Sequence, residues 1–467
     1  MASSSLQRTN SGANNKKWTV SLWVKMNKFT GDGGIFDFYT DTSNRFVVYA
    51  NPQFKQRNLV SGSWTGADLE AKWRLRDPSC WYNIVVKSDT EQATNSDRFV
   101  AYVNGVALTA DDYDSLNYPA QDYTYNGNIA SATLRIGRYD NNYSDMNFAH
   151  FHYCDGYAYD ATSFGEFDST TGIWKPKGTP SVSYGTNGVF LKFENNAALG
   201  TDSSGNGNTW STVGTPTKTA DTPSENFATF LSQTRDRAGT LTQDYLSNGG
   251  TTVSNTGSSS GTYVYPITNL GVTKGKYYWE CKPYTSSETG MAFGIAYTSI
   301  LDNNSAQFWD DSAANGIMIN RNSSNGYYAV QAKSGGGNWT STVTMASSDV
   351  VGLALDMDNQ AFYAHVNGTY LNSGDPTSGA SQTGSLLSAG TISSGTQYVN
   401  SGEPVHATGC CVESSNKATM QFNFGNGFFA TTAISSAGTG PTASGGTFEY
   451  DCPAGYQALS TKGMNSF

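Results

Sequence analysis

Charge is scarce in this sequence. Of 467 residues only 66 are charged (28 Lys plus Arg, 38 Asp plus Glu), or 14%, against about 25% in an ordinary soluble domain. The formal net charge is −10. A nucleic-acid partner is therefore not expected, because binding a phosphate backbone depends on Lys and Arg to neutralise it. An anionic membrane surface is disfavoured for the same reason. Long apolar runs are missing too: no stretch approaches the roughly 18 to 20 residues that span a bilayer. The polar opening Met-Ala-Ser-Ser-Ser-Leu-Gln-Arg lacks the apolar centre of a signal peptide, so none is expected. Metal ligands are few. Cys80, Cys154, Cys281 and Cys452 are isolated and Cys410 and Cys411 adjacent, which leaves no C-x-x-C spacing and points to free thiols packed in strands. There are four histidines, His150, His152, His365 and His406. His150 and His152 alternate along a strand without a nearby third ligand, and read as a side-by-side pair rather than a metal site. No metal and no cofactor is expected.

Helical periodicity is also absent, since no window of a dozen residues keeps apolar positions at i, i+3, i+4 and i+7. What is present is Gly (50 residues), Tyr (28 residues) and aromatics at 13%. Apolar and aromatic runs of about five to eight residues recur between turn clusters: Trp18 to Lys25, Gly34 to Tyr39, Arg45 to Ala50, Trp81 to Lys87, Arg98 to Asn104 and Thr133 to Arg138. Each reads as a β-strand, because β-branched and aromatic side chains suit a pleated, half-buried surface. Short strands at this density predict an all-β chain of the sandwich or jelly-roll kind.

At 467 residues the chain is too long for one ordinary core. A repeated pattern helps to divide it. The strand Arg98 to Val103 ends at Asn104-Gly105, and the strand Gln360 to Val366 ends at Asn367-Gly368. Asn-Gly tolerates positive φ at both central positions and predicts a type I′ hairpin turn in each place. Two such hairpins suggest two tandem β sandwiches, 1–222 and 223–467. The boundary falls in the polar stretch Gly200 to Ser224, where Thr215-Pro216 and Thr222-Pro223 interrupt regular pairing. Ser247 to Thr262 reads as a long hairpin or edge loop. Ser373 to Glu403 is a polar loop longer than most connections in compact domains.

Several segments carry a resemblance. Trp18 to Lys25, Trp81 to Val86, Tyr102-Val103-Asn104-Gly105 and Leu134-Arg135-Ile136-Gly137 look like successive strands of a laminin-G-like, concanavalin A-like domain. Ser163 to Trp174 closely resembles a segment of such domains from tailed phages of marine and freshwater bacteria. So does Tyr184 to Glu194 with its follower Asp202-Ser203-Ser204-Gly205-Asn206-Gly207-Asn208. In many relatives that last piece opens the domain; its late position here suggests a rearranged strand order. Gly275 to Glu280, Phe293 to Ala296, Val350 to Asp358 and Thr419 to Gly425 resemble a SPRY-type sandwich in that family's order. The resemblance implies a non-enzymatic structural protein of a tailed-phage virion, on the particle surface at tail or capsid. Its implied partners are other virion proteins and a host surface glycan, with a homo-oligomer in the particle. The first expectation is a tail fibre or spike contacting a host receptor or glycan. The alternative is a head-decoration or vertex protein, because no heptad run or fibrous repeat is present and strands begin by Trp18. A glycan depolymerase is the third.

That third reading, as a retaining glycosidase, needs paired carboxylates about 5 to 5.5 Å apart. Glu166-Phe167-Asp168 offers a pair, but position 171 is Thr, so the third acid of the Glu-x-Asp-x-x-Glu pattern is missing. Asp68-Leu69-Glu70 and Asp356-Met357-Asp358 fail likewise, and catalysis is not expected. Gly335-Gly336-Gly337 lacks the Lys-Ser/Thr of a phosphate loop, and Asn338-Trp339-Thr340 and Asn367-Gly368-Thr369 match a glycosylation pattern without a secretion signal. Asp202 and Asn206 could contribute oxygens to Ca²⁺, but a single carboxylate favours a turn closed by Asx hydrogen bonds. For recognition, the candidates are Tyr113, Tyr118, Tyr123 and Tyr125 in the Asp111 to Asn126 loop, with Tyr139 and Tyr143 beyond the next strand. Tyr rings stack on sugar faces and serve protein contacts equally. A packed loop is the third reading of the same residues.

Overall fold

A computed structural model describes the chain apart from residues 1–3, 13, 28–31, 52, 66–67, 76, 126–128, 232–244, 255–262, 265, 284–290, 299–315, 324–325, 331–342, 387–402, 413–418 and 442. Asn126, the Gly335–Gly337 run, the Asn338 glycosylation pattern and parts of the two long polar loops lie outside the described residues. The described chain is almost entirely β, with α-helix confined to Asn95–Arg98 and Thr461–Met464. No helix among the described residues is long and apolar enough to cross a membrane. Two compact units emerge, Met1–Lys218 with Thr222–Ser224 and Thr219–Asp221 with Glu225–Phe467.

The strands of the first unit are β1 (Ser5–Thr9), β2 (Lys17–Met26), β3 (Gly33–Asp41), β4 (Asn44–Asn51), β5 (Gln53–Val60), β6 (Ser63–Trp64), β7 (Asp68–Arg74), β8 (Tyr82–Asp89), β9 (Phe99–Val103) and β10 (Val106–Ala107). They continue with β11 (Tyr113–Asn117), β12 (Thr133–Ile136), β13 (Arg138–Tyr139), β14 (Asn142–Tyr143), β15 (Met146–Asp155), β16 (Gly165–Phe167), β17 (Trp174–Pro176), β18 (Val189–Leu191) and β19 (Ser211–Val213). The described residues form a nine-stranded sheet in the order β11-β7-β5-β4-β3-β12-β1-β19, with β6 beside β5, and a six-stranded sheet in the order β10-β9-β8-β2-β15-β18. Every pairing in these two sheets is antiparallel.

Alternation along the strands builds the core between the sheets. Phe36 and Phe38 of β3, Phe46 and Val48 of β4, and Leu134 and Ile136 of β12 point inward to meet Trp18, Val20 and Leu22 of β2. The six-stranded sheet is covered on its other face as well. There Trp23, Val85 and Tyr102 are covered by Phe164 and Trp174 from the segment that follows β15. This two-sided burial explains why nine of the ten residues of β2 are buried. The nine-stranded sheet differs, because its outward positions are mostly polar and aromatic, with Val47 and Leu59 among them.

The Asn-Gly turns take the conformation their chemistry demands. Asn104 and Gly105 have φ of 47° and 82°, Asn367 and Gly368 49° and 84°. Each Asn does more than turn the chain. The Asn104 Oδ1 accepts from Asn83 N–H at 2.8 Å, and Asn367 Oδ1 accepts from Val350 N–H at 2.9 Å. In both units the hairpin is thus tied to the start of the neighbouring strand.

In the second unit, Leu246–Ser247, Thr252–Ser254, Thr419–Asn423, Lys276–Pro283, Val351–Asp356, Ala361–Val366 and Thr369–Tyr370 are neighbours in that order in one sheet, and Gln457–Ala458 joins it in parallel. A second sheet runs Tyr263–Val264, Val405–Val412, Met291–Tyr297, Gly316–Ser323, Gly326–Val330, with Ile267–Val272 beside Val405–Val412. Trp279, Phe293, Leu353, Phe362 and Phe422 lie in the core they share.

On the outward face of the nine-stranded sheet one polar pair is wholly enclosed. Arg135 of β12 lies opposite Asp37 of β3 and grips its carboxylate with Nε (2.7 Å to Oδ1) and Nη2, while the Tyr39 ring covers the guanidinium at 3.9 Å. Both residues are buried. Removing one member of such a pair leaves a desolvated charge uncompensated, which costs about 3–5 kcal/mol. Asp37→Asn is expected to destabilise the first unit by that amount, measured as a lower urea midpoint with an unchanged slope.

Candidate recognition surface

The outward residues of β3, β4 and β5 fall into rows, because paired positions share a face. Trp64 of β6 lies opposite Leu59 of β5, Leu59 opposite Arg45 of β4, and Arg45 opposite Tyr39 of β3. In the next rows Arg57 pairs with Val47, and Lys55 with Tyr49. Over these rows folds the β13–β14 hairpin. It approaches at Gly34, where a Cβ would stand only 2.3 Å from the Arg138 carbonyl carbon, so no larger residue fits without displacing the backbone. The Ser144 hydroxyl donates to the Gly34 carbonyl and fixes the approach.

The result is an aromatic and guanidinium cluster. Tyr139 stacks on Tyr49 with ring centroids 5.2 Å apart and planes 9° from parallel. The Arg45 guanidinium lies 5.0 Å from the Tyr139 ring and 5.9 Å from Trp64, and Arg57 lies 5.5 Å from Trp64. Arg138 covers Tyr143 at 5.0 Å. Trp64 is 39% exposed, which makes it one of the few large apolar side chains on the surface. Arg57 is paired with Asp68 (3.2 Å) and Glu70 (3.7 Å), and Lys55 with Glu70 (2.7 Å). Arg45 is only 7% exposed, and like Arg57 Nε it has nitrogens without an aligned acceptor. Asp140 Oδ1 stands 3.5 Å from Nη1, and Nε and Nη1 are both buried without a hydrogen-bond partner. An orphaned buried donor costs about 1–3 kcal/mol. Deeper in the sheet, burial pushes the Asp37 carboxyl up to about 6, against the pull of Arg135, Arg45 and Arg138. Burial likewise raises the Tyr139 hydroxyl, more than Arg45 lowers it.

The six tyrosines separate. Tyr139 and Tyr143 belong to this cluster. Tyr125 is fully buried, edge on to Trp18 (5.7 Å) and Phe46 (5.3 Å), and Tyr113 is 8% exposed in the same core. Neither can touch a ligand at the surface, because their rings complete the sandwich. Tyr123 is half-buried, its hydroxyl accepting from Asn58 Nδ2 at 2.6 Å and its ring edge on to Tyr125, and Tyr118 is half-buried beside it in sequence. For Tyr113 and Tyr125 the packed-loop reading is the one the geometry supports. Trp64 and Arg45 were missed. The only signal for Arg45 is the alternation Arg45-Phe46-Val47-Val48-Tyr49, which puts Arg45 and Tyr49 on one face.

Asp202 and Asn206 are internally occupied. Asp202 accepts from Phe190 N (3.0 Å), Ser204 N (2.8 Å), Ser204 Oγ (2.8 Å) and Asn208 N (2.8 Å). Asn206 Nδ2 donates to the Gly185 and Gly188 carbonyls. These are the bonds of an Asx turn stitched to a neighbouring loop. Among the described residues no group of three His, Cys, Asp or Glu side chains is placed to hold a metal.

The carboxylate pairs are tied as well. Lys175 reaches Glu166 (3.5 Å) and Asp168 (3.1 Å) across the exposed β16–β17 hairpin. Hydrogen bonds from Thr171, Lys175 and Thr170 hold the Asp168 carboxyl well below its usual range, which suits an acceptor and not a general acid. Asp356 is paired with Lys276 at 2.9 Å and accepts from Asn359.

A buried polar chain runs through the second unit. Gly368 N–H donates to His365 Nδ1 at 3.1 Å, which leaves the proton on Nε2 to donate to Tyr278 at 2.8 Å; Tyr278 in turn donates to Glu280 at 3.2 Å. Glu280 also accepts from Asn423 Nδ2 and from the N–H groups of Glu449 and Tyr450. All three side chains are buried, so no substrate reaches them. Burial pushes Glu280 up to about 7 and His365 down to about 4.

No family model and no curated protein matches the chain. Among solved structures it is similar to the SPRY domain of human HERC1, with 16% identity and a TM-score of 0.25 over 37% of this chain and 87% of that one. It is similar also to the TRIM65 PSpry domain, with 11% identity and a TM-score of 0.28 over 42% of this chain and 88% of that one. A third is domain 4 of AbnA, a GH43 extracellular arabinanase from Geobacillus stearothermophilus solved with arabinotriose, with 16% identity and a TM-score of 0.25 over 33% and 67%.

The buried chain has a pH signature. The folded state holds the Glu280 proton more tightly than the unfolded chain, so its contribution to stability falls as pH rises from about 4.5 to about 7. His365 works oppositely and loses stability as pH falls from about 6.5 to about 4. Over the shared interval the two slopes offset each other. His365→Gln removes one of them, so its melting temperature is expected to drop, relative to the parent protein, between pH 5 and pH 7.

Proposed function

We propose that this is a non-enzymatic structural protein of a tailed-phage virion, displayed on the particle as a tail fibre or spike that contacts a host receptor or glycan. The observation that carries the contact role is the Trp64, Tyr139 and Arg45 cluster on the open face of the nine-stranded sheet. Exposed aromatic rings fixed by a sheet and flanked by guanidinium groups are what sugar and protein contacts use, since they bind with little ordering of side chains. The virion context draws its support from the Ser163 to Trp174 and Tyr184 to Glu194 segments, which resemble those of phage sandwich domains. Other virion proteins are the further partners of this reading, and a homo-oligomer is its expected state in the particle.

A head-decoration or vertex role is the second reading, and one surface favours it. The β16–β17 hairpin exposes Phe167 (54%) and Ile173 (67%), while Gly105 packs against the buried Trp174 and sets Val106 (60% exposed) close by. Clustered exposed apolar side chains of this kind suit a protein neighbour.

Imaging of particles with the chain labelled separates the two: signal at the tail is expected, and signal on the capsid lattice overturns the fibre reading. Trp64→Ala is expected to weaken binding to host cells about tenfold, as loss of a central aromatic contact does. Undiminished binding would remove this face from the contact.

A further inference from the structure

The ionic groups of the sheet face cancel one another. Lys55 and Arg57 meet Glu70 and Asp68, Arg135 meets Asp37, and Arg45 stands beside Asp140. Arg138 and Asp32, whose charge reaches Tyr49 and Tyr139, add one more of each sign. A face so balanced gives an anionic ligand no net attraction, and the net charge of −10 on the whole chain opposes one. What the face offers instead is polar atoms beside an aromatic ring. Arg57 Nε and Asp68 Oδ1 face each other at 3.2 Å and are enclosed. Their side chains still keep 27% and 32% of their surface exposed, so the polar atoms they present to solvent are the Arg57 Nη nitrogens and Asp68 Oδ2. Glu70 Oε2 stands 3.7 Å from Arg57 Nη2, beyond hydrogen-bond length. The same guanidinium lies 5.5 Å from the centroid of Trp64, which is 39% exposed. A donor, an acceptor and an open aromatic ring thus stand within the span of one sugar.

We infer that, on the reading that this face contacts a glycan, its ligand is a neutral saccharide with two adjacent hydroxyls. The C–H face of one sugar ring lies on Trp64, while one hydroxyl donates to Asp68 Oδ2 and its neighbour accepts from an Arg57 Nη. A hydroxyl is both donor and acceptor, so two of them side by side answer an anion and a cation side by side. A carboxylate or sulfate only accepts, and it meets repulsion from Asp68 and Glu70 as it nears Arg57. An amino sugar's ammonium group meets the same difficulty at Arg57. Hydrogen bonds to ionised groups are the stronger kind, and the Arg57–Asp68 pair holds both partners in place before the ligand arrives.

The test presents the full chain with an array of oligosaccharides in which neutral hexose chains stand beside their uronate and sulfated counterparts, followed by calorimetry on the member bound best. Neutral members are expected to bind about tenfold or more tighter than their charged counterparts. Their affinity should change less than about twofold between about 50 mM and about 500 mM NaCl, since no net charge is neutralised on binding. Methyl capping of either of two adjacent hydroxyls should weaken binding about tenfold, and in Asp68→Ala, itself weakened about tenfold, one of the two caps should cost nothing further. Trp64→Phe keeps a ring and should retain much of the affinity that Trp64→Ala loses, which separates loss of contact from loss of fold. Equal or tighter binding of charged members, or binding untouched by Asp68→Ala, with Trp64→Ala still weakening it, overturns the neutral assignment and leaves the glycan reading standing. No binding anywhere on the array, or binding indifferent to Trp64→Ala, overturns both.

Discussion

Trp18 stands edge on to Phe38, Phe46 and Tyr125, with ring centroids 5.1 to 5.7 Å away. It belongs to β2 of the six-stranded sheet, whereas Phe38 and Phe46 belong to the nine-stranded one. This aromatic joint is where the two layers of the first unit are held face to face, at the ring separations and angles that aromatic pairs prefer. The period of a strand is two, so fixing Phe46 and Val48 inward fixes Arg45, Val47 and Tyr49 outward. The other sheet has no such freedom, because Trp23 and Tyr102 on its far side are already covered by Phe164 and Trp174. The candidate recognition surface lies on the outward face of the nine-stranded sheet, partly covered by the β13–β14 hairpin.

Local chemistry was legible in the sequence wherever a few adjacent residues decide the outcome. The runs Trp18 to Lys25 and Arg45 to Ala50 lie within strands, and both Asn-Gly pairs take positive φ, because these preferences belong to the residues themselves. The tyrosines were harder. Nothing within the stretch Tyr118 to Tyr125 says that Tyr125 will fill a hole between Trp18 and Phe46, since those neighbours are about 80 to 110 residues distant in the chain. Trp64 was invisible for the opposite reason, being part of a two-residue strand too short to show alternation. Its value comes only from Leu59 and Arg45 standing beside it in register.

Both units bury polar groups, and each holds one network that is closed on itself. In the second unit the Glu280 carboxyl group accepts four hydrogen bonds and ties residues 449 and 450 to the sheet, so that a buried acidic group serves to position chain. Gly352 makes room for this arrangement, as a Cβ there would sit 1.9 Å from His365 Nε2. In the first unit Asp37 and Arg135 satisfy each other in the same manner, yet Arg45, one strand away on the same face, is left with donors unmet.

The pleat of β4 has a consequence for how such a protein can change over generations. Its inward and outward residues alternate yet answer to separate demands, one set to the packed aromatic joint and the other to whatever the face meets. Positions 45 and 49 can therefore be exchanged at the expense of the β13–β14 hairpin they touch, while 46 and 48 stay as they are. Loop-borne binding sites explore new shapes through insertions, whereas a sheet-borne one explores new chemistry on a fixed grid. Variation among close relatives should then concentrate on every second residue of β4 and β5, with the residues between them held constant by the core.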